Sequence, residues 1–314
     1  MGLRAHTLIG IIVAMAALPA TSPRAATPSG LPHIAPVHFP AYGDYPDIKL
    51  YAPTRKAYRQ AVDDRRFVMQ RMTYLSDGLR VYAYVYRPRQ VATGKRLPVV
   101  VFIRGSYVRR DFSPEVLMPA HRLAQHGYLV VAPMLRGSGG AKGHDEMGGA
   151  DVHDIFNLLP ALRRLSYADA DRLFLYGESR GAIMSMIALR QSFPARAAAV
   201  YGLTADFSRL IGKGSPGRAL ATKIWPHFEK DEARITRTRS PIRWAERIEV
   251  PVLLMHGGND RTVSPINALE MASAFQHLGK RYALRIFYGG NHVLTHRAAQ
   301  RDRAAAAWFS RFDQ

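Results

Sequence analysis

The feature that most constrains the fold is a serine between two glycines, in the order Gly-Glu-Ser-Arg-Gly at residues 177–181. A short apolar run at 173–176 precedes it with the composition of a strand, and the Ala-, Met- and Ile-rich residues 182–190 follow as a predicted helix. A side chain at either glycine would collide with a neighbouring strand or helix. The pattern therefore predicts a tight strand–turn–helix unit in which the hydroxyl of Ser179 projects clear of a sheet.

A serine held in this way is a candidate nucleophile, and the backbone N–H of Arg180 can donate to an oxyanion at the start of the helix. A hydroxyl needs a base to take its proton, and the base needs an acid to orient it. In this architecture the chain order is serine, acid, histidine. Asp260 and His292 supply that order, each in a loop after a predicted strand. Such loops lie at the rim where α/β sheets place their chemistry.

Other residues could fill the same roles. Asp206 follows an earlier strand and could also orient a histidine. His256 and His296 are alternative bases, although His256 is more typical of a structural loop residue. His292 and His296 are four residues apart, as zinc ligands on a helix are, but no acidic residue completes a metal motif there. We therefore expect no metal and no cofactor.

A second oxyanion donor is expected from the loop that follows the apolar strand at 97–103. The candidates are the backbone amides of Gly105, Ser106 and Tyr107, together with the Tyr107 hydroxyl. Arg104 begins this loop and is a predicted substrate contact.

Two arginines therefore lie near the candidate nucleophile, Arg104 in the loop and Arg180 directly after the serine. They could make the site electropositive and favour substrates that carry a carboxylate. Alternatively, both pair with structural acids such as Glu178 or Asp151.

Apolar runs alternate with predicted helices along most of the chain. Continuous runs such as 97–103 and 128–133 are typical of strands covered on both faces, and two strands within 67–86 are joined by an Asp-Gly turn. The sequence predicts an α/β fold, with a mostly parallel, doubly covered sheet and an N-terminal antiparallel hairpin. Residues 202–249 form a helical insertion, predicted to be a lid with Trp225 as a substrate contact; a surface excursion is the alternative.

The first 26 residues have a basic start, a short apolar run and small residues, which are typical of a secretory signal peptide. We expect export to the periplasm or the medium, with no stable membrane insertion after cleavage; an uncleaved anchor is the alternative. Residues 27–66 are predicted to be an irregular arm ending in a helix at 54–66, and residues 67–314 the catalytic domain. The sequence contains no cysteine, which excludes disulfides and a lipoprotein anchor.

The chain carries 44 Lys and Arg residues against 24 Asp and Glu residues, a formal net charge of +20. The arginines are scattered, which is typical of a solvated surface. Nucleic-acid binding would need a clustered basic patch with interleaved aromatics, so we expect no nucleic-acid partner. A protein that binds anionic surfaces through its charge stays an alternative.

These motifs together resemble the catalytic domain of the prolyl oligopeptidase family of serine peptidases, within the α/β-hydrolase superfamily. The resemblance covers residues 67–312 and rests on Arg-Gly-Ser-Gly-Gly at 136–140, Gly-Glu-Ser-Arg-Gly at 177–181, His-Gly-Gly-Asn-Asp at 256–260 and Gly-Asn-His at 290–292.

The resemblance implies an α/β-hydrolase fold with Ser179 as nucleophile, Asp260 as orienting acid and His292 as base, in agreement with the roles argued above. It also implies cleavage of a small peptide or aminoacyl substrate through an acyl-enzyme. A carboxylesterase acting on small acyl or sugar esters is the alternative, because one fold hosts both chemistries. A non-catalytic binding protein with a relic site is a further alternative.

Overall fold

The computed structural model describes residues 32–45, 47–105 and 114–314. The predicted signal peptide and the predicted oxyanion residues Ser106 and Tyr107 lie outside the described residues. Among the described residues, no helix combines the length and the apolar character needed to cross a bilayer.

The described strands form a single sheet. They are β1 (His33–Pro36), β2 (Phe67–Ser76), β3 (Leu79–Pro88), β4 (Leu97–Ile103), β5 (Leu129–Pro133), β6 (Ala168–Glu178), β7 (Ala197–Tyr201), β8 (Val252–Gly257) and β9 (Tyr282–Phe287). Their spatial order is β1-β2-β3-β5-β4-β6-β7-β8-β9. The pairings β1–β2, β2–β3 and β3–β5 are antiparallel. The other pairings of the described strands, beginning with β5–β4, are parallel. The predicted α/β fold with an N-terminal hairpin is therefore confirmed.

Helices cover both faces of the sheet. They are α1 (Ile48–Tyr51), α2 (Arg55–Val62), α3 (Pro114–Ala124), α4 (His153–Phe156), α5 (Leu159–Arg163), α6 (Arg180–Arg190), α7 (Pro216–Ile224), α8 (Phe228–Thr238), α9 (Ile266–His277) and α10 (Ala298–Ser310). The central strand β4 shows why two layers form. Val99, Val101 and Ile103 face one buried cluster, and Val100 and Phe102 face the other. Apolar side chains on both faces require cover on both faces.

The N-terminal arm is more regular than the sequence indicated. Residues 33–36, expected to be irregular, form β1, which pairs antiparallel with β2. The short helix α1 follows, and Thr54 caps α2 by accepting from the amide of Ala57. A four-residue strand has too short a pattern to be recognised, because pairing with an existing strand edge, not local sequence, makes it extended.

Helix α3 contains a proline in its interior. Pro119 lies inside the described helix Pro114–Ala124. A proline there removes one backbone hydrogen bond, but ten of the eleven residues are buried. Tertiary packing therefore outweighs the local preference.

The insertion at 202–249 contains α7, α8 and two 3₁₀ segments, at Phe207–Arg209 and Pro241–Arg247. Phe228 and Ile235 of α8 are buried in the same apolar cluster as β4 and α6. The insertion is thus packed onto the core, and its action as a lid stays a prediction.

Candidate active site

Ser179 occupies the strained turn that the sequence predicts. It follows β6 directly and has φ 51° and ψ −115°, which a residue with a side chain adopts only under tight constraint. A Cβ on Gly181 would overlap the carbonyl of Ile103, and a Cβ on Gly177 would overlap the hydroxyl of Ser185. Both glycines are required because β4 and α6 approach the turn so closely. The strain places the Ser179 hydroxyl at the rim of the sheet.

The structure brings the three residues of the predicted triad together. The Oγ of Ser179 lies 2.8 Å from Nε2 of His292, and Nδ1 of His292 lies 2.7 Å from Oδ2 of Asp260. The loop after β8 carries Asp260, and the loop after β9 carries His292. The serine hydroxyl can donate to Nε2 while Nδ1–H donates to the carboxylate, which is the geometry that proton removal from a serine requires.

Both oxygens of the Asp260 carboxylate have polar partners. Its Oδ1 accepts from the backbone amides of Thr262 at 2.8 Å and Val263 at 2.9 Å, while Oδ2 faces His292 and lies 3.0 Å from Nε2 of His256. Burial alone would raise the pKa of Asp260, but its contacts with His256 and His292 outweigh that effect and hold the pKa well below its usual range. Asp260 is therefore ionised at neutral pH.

Gly202, directly after β7, is a site residue that the sequence reasoning missed. Its φ is +63°, and a Cβ there would lie 2.9 Å from Cε1 of His292. The absent side chain therefore leaves room for the imidazole. A glycine immediately after a buried strand at the chemical rim was the available signal.

Among the described residues, the alternative acid and bases form no hydrogen bond with the Ser179 hydroxyl, which pairs with His292. Asp206 caps a 3₁₀ turn, where its Oδ1 accepts from the amide and hydroxyl of Ser208. His296 is exposed in the 3₁₀ turn Thr295–Arg297, and His256 is fully buried. Among residues 32–45, 47–105 and 114–314, no group of three or more His, Cys, Asp or Glu side chains is placed to hold a metal.

The backbone N–H and the guanidinium of Arg180 have different surroundings. It is the first residue of α6, so its N–H lies at the positive end of the helix dipole beside Ser179. Its guanidinium is buried, with Nη1 2.7 Å from Oδ2 of Asp145 and Nη2 3.8 Å from Oδ2 of Asp151. Burial raises the pKa of Asp151 to about 6, against the opposing effect of the Arg180 charge. The structure favours the interpretation that Arg180 pairs with structural acids.

Arg104 is likewise turned into the fold. Its side chain is only 1% exposed, and its guanidinium donates to Oγ of Ser138 at 2.9 Å and to the carbonyl of Gly105 at 3.1 Å. Burial lowers the pKa of Arg104, and the charge of Arg180 adds to that effect. These contacts favour a structural role for Arg104 over the predicted substrate contact.

The Gly105 amide, one of the predicted oxyanion donors, is already engaged. It donates to Oε1 of Glu115, next to the buried carboxyl of Glu178. Glu178 itself accepts from the hydroxyls of Tyr51 at 3.0 Å and Tyr201. Burial raises the pKa of Glu178 well above its usual value, and the charge of Glu115 raises it further. The Gly105 amide therefore supports the turn, and the second oxyanion donor stays a prediction.

Trp225 lies between α7 and α8 and packs inside the insertion. Its ring centroid is 6.0 Å from that of Phe207 and 6.1 Å from that of Phe228, and the Arg239 guanidinium lies 4.5 Å above the ring. These contacts account for its half-buried position. Its part in substrate binding stays a prediction.

A strained serine between a strand and a helix, with an acid and a histidine on later loops of a mainly parallel sheet, defines the α/β hydrolases. The prolyl oligopeptidase family model matches residues 116–312, more than half of the chain. The chain therefore belongs to the prolyl oligopeptidase family and is a hydrolase of the serine peptidase type.

The curated relatives are peptidases. The uncharacterized peptidase YtmA of Bacillus subtilis is 27% identical over 194 residues, which cover 61% of this chain and 73% of YtmA. Dipeptidyl-peptidase 5 of Porphyromonas gingivalis is 22% identical over 274 residues, which cover 78% of this chain but only 39% of that protein.

Solved structures show the same architecture. A puromycin-hydrolyzing peptidase of Mycobacterium tuberculosis superposes with a TM-score of 0.65 at 26% identity, covering 78% of this chain and 40% of that one. The acylaminoacyl peptidase of Pyrococcus horikoshii, at 23% identity, has a TM-score of 0.65 over 81% of this chain and 42% of its own, and this likeness concerns the fold. The chain spans about two fifths of the length of these solved peptidases.

Proposed function

We propose that this chain hydrolyses peptide or aminoacyl bonds through an acyl-enzyme formed on Ser179. The observation that carries the proposal is the continuous chain of short contacts from Ser179 Oγ through His292 to Asp260. His292 removes the hydroxyl proton as the oxygen attacks the carbonyl carbon, and it then gives that proton to the leaving amine. Water, activated by the same imidazole, releases the acyl group and restores the serine.

Asp260 keeps the proton on Nδ1 of His292, so that Nε2 is free to act as the base. Its ionised carboxylate also stabilises the imidazolium that forms during attack. The N–H of Arg180 is the first donor to the developing oxyanion, and Ser106 or Tyr107 is the proposed second donor. This chemistry draws only on groups that the chain itself supplies.

The choice of a peptide or aminoacyl substrate is supported by the family and by the names of its relatives, which include a puromycin-hydrolyzing peptidase and a dipeptidyl-peptidase. A carboxylesterase is the second candidate, because the same triad on the same fold cleaves esters. We also propose that the chain is exported, which is supported by the basic, apolar and small-residue pattern of residues 1–26.

A panel of aminoacyl amides and matched esters, each pair with the same acyl group, tests the proposed substrate class. We expect the mature protein to cleave both members of a pair, with measurable kcat/KM on the amide. Hydrolysis of the esters without any of the matched amides would support the esterase instead. Heat-denatured protein is the control for spontaneous ester hydrolysis.

A further inference from the structure

His256 is a buried histidine beside the candidate acid, and the proposed mechanism does not use it. It lies near the end of β8 and is 0% exposed. Its Nε2 lies close to two acceptors, the carbonyl oxygen of Val263 at 2.9 Å and Oδ2 of Asp260 at 3.0 Å. This Oδ2 is the oxygen that also faces Nδ1 of His292. One carboxylate oxygen therefore lies between two imidazoles.

The surroundings of His256 determine which ring nitrogen carries its hydrogen. Both neighbours of Nε2 are acceptors, so Nε2 must be the donor. Nδ1 is buried and has no hydrogen-bond partner among the described residues. A second proton at Nδ1 would create a buried cation with an unsatisfied N–H, which is unfavourable. The ring is therefore the neutral Nε2–H tautomer, a donor that stabilises a carboxylate without adding charge.

We infer that His256 is a positioning residue for Asp260, an inference that rests on the proposed function. The Nε2–H of His256 hydrogen-bonds to the Val263 carbonyl, which ties the acid-bearing loop back to β8, and the same nitrogen lies 3.0 Å from Oδ2 of Asp260. The amides of Thr262 and Val263 fix Oδ1 from the opposite side. Together these contacts fix the rotation of the carboxylate, so that Oδ2 stays directed at His292.

The effect of removing this donor follows from the groups that face Asp260. They are His256 from β8, His292 from the loop after β9, and the two backbone amides of its own loop. In the described part of the chain, no other charged side chain lies within ion-pair distance of this carboxylate. Without His256 the carboxylate stays anchored through Oδ1 but becomes more basic, and it holds a proton on His292 more strongly. The acidic limb of the pH–rate profile should therefore move to higher pH.

The test compares His256→Leu, which removes the donor, with His256→Gln, whose side-chain amide can replace Nε2–H. We expect the leucine variant to lose about tenfold or more in kcat with KM within about twofold of wild type. The midpoint of its acidic limb in kcat/KM should rise by about half a pH unit, and the glutamine variant should recover both properties. An unshifted limb in the leucine variant would overturn the inference, as would equal impairment of both variants.

A second measurement needs no turnover and separates this inference from the proposed function. In protein labelled with ¹⁵N-histidine, His256 should give the signals of the neutral Nε2–H tautomer in the wild type and in Ser179→Ala. The downfield Nδ1–H proton of His292 should shift in His256→Leu and return in His256→Gln. The positioning role is contradicted by an Nδ1–H tautomer at His256, or by a His292 Nδ1–H signal that is unchanged in both variants. Absence of hydrolysis together with the expected signals would refute only the proposed function.

Discussion

Replacing Ser179 with alanine should abolish hydrolysis, lowering kcat by at least about 10⁴-fold on any amide or ester that the wild type cleaves. The reason is chemical: without Oγ, His292 has no hydroxyl to deprotonate and no acyl-enzyme can form. Alanine fits the turn, since the strain at φ 51° arises from the backbone and is shared by any residue with a Cβ. The measurement is steady-state kinetics on the best substrate of the panel, with thermal melting to show that the variant is folded.

Ser310→Ala is the matched control, because that hydroxyl lies on an exposed face of α10 and, within the described part of the chain, hydrogen-bonds to the carbonyl of Ala307 alone. It should retain wild-type turnover. A folded Ser179→Ala variant that keeps a tenth or more of the activity would mean that another residue attacks the substrate, and the proposed mechanism would be abandoned.

The largest effect on stability should come from Asp302→Asn. Asp302 is fully buried on α10, where it accepts from Nε of Arg301 at 2.7 Å, from Arg122 at 2.9 Å and from the hydroxyl of Tyr176 at 2.6 Å. Asparagine keeps the shape but leaves the buried guanidinium of Arg301 and the partly buried guanidinium of Arg122 without their counter-charge. Removal of one partner from a buried ion pair costs about 3–5 kcal/mol, so urea unfolding should show a free energy of unfolding lower by that amount.

The pH dependence of this loss has a definite sign. Burial alone would raise the pKa of Asp302, but the charges of Arg301 and Arg122 outweigh it and lower the pKa in the folded state. A carboxylate with a lowered folded pKa contributes stability above its unfolded pKa and loses it as the pH falls. The difference between wild type and variant should be full near pH 7 and shrink below about pH 4.

Asp231→Asn provides the control, because Asp231 forms an exposed pair with Arg234 on α8 and should leave the unfolding midpoint unchanged. A change of less than about 1 kcal/mol for Asp302→Asn would show that the buried network around α10 is not a stabilising element. The network also reaches the site, since Arg301 donates to the carbonyl of Val293 at 2.6 Å, one residue after His292.

The catalytic elements were predictable because each is a local pattern with a steric or chemical cause. The two glycines on either side of Ser179 indicate a close approach of strand and helix. Asp260 and His292 each follow the end of a predicted strand, which indicates that they lie at the rim of the sheet. These patterns span a few residues, and the fold class follows from the alternation of apolar runs with helices. The proximity of the three side chains then follows from the order of parallel strands.

The features that escaped prediction depend on contacts between segments distant in the chain. Gly202 matters because of where His292 lies, 90 residues later, and β1 is extended because β2 offers an edge. Arg301 and Asp302 are adjacent charges on a helix, a pattern typical of an exposed face, yet both are buried. The burial of Arg104 and Arg180 was unpredictable for the same reason, because the acids and polar atoms that pair with their guanidinium groups come from other segments.

The most direct test of the central claim is covalent labelling with a fluorophosphonate, which reacts with a serine only when its hydroxyl is activated. Intact mass spectrometry followed by tryptic mapping identifies the modified residue. We predict one adduct per chain, on peptide 173–180, at Ser179, and its loss in His292→Ala as well as in Ser179→Ala. No adduct on the folded wild type, or an adduct at a different residue, would contradict the claim that Ser179 is an activated nucleophile.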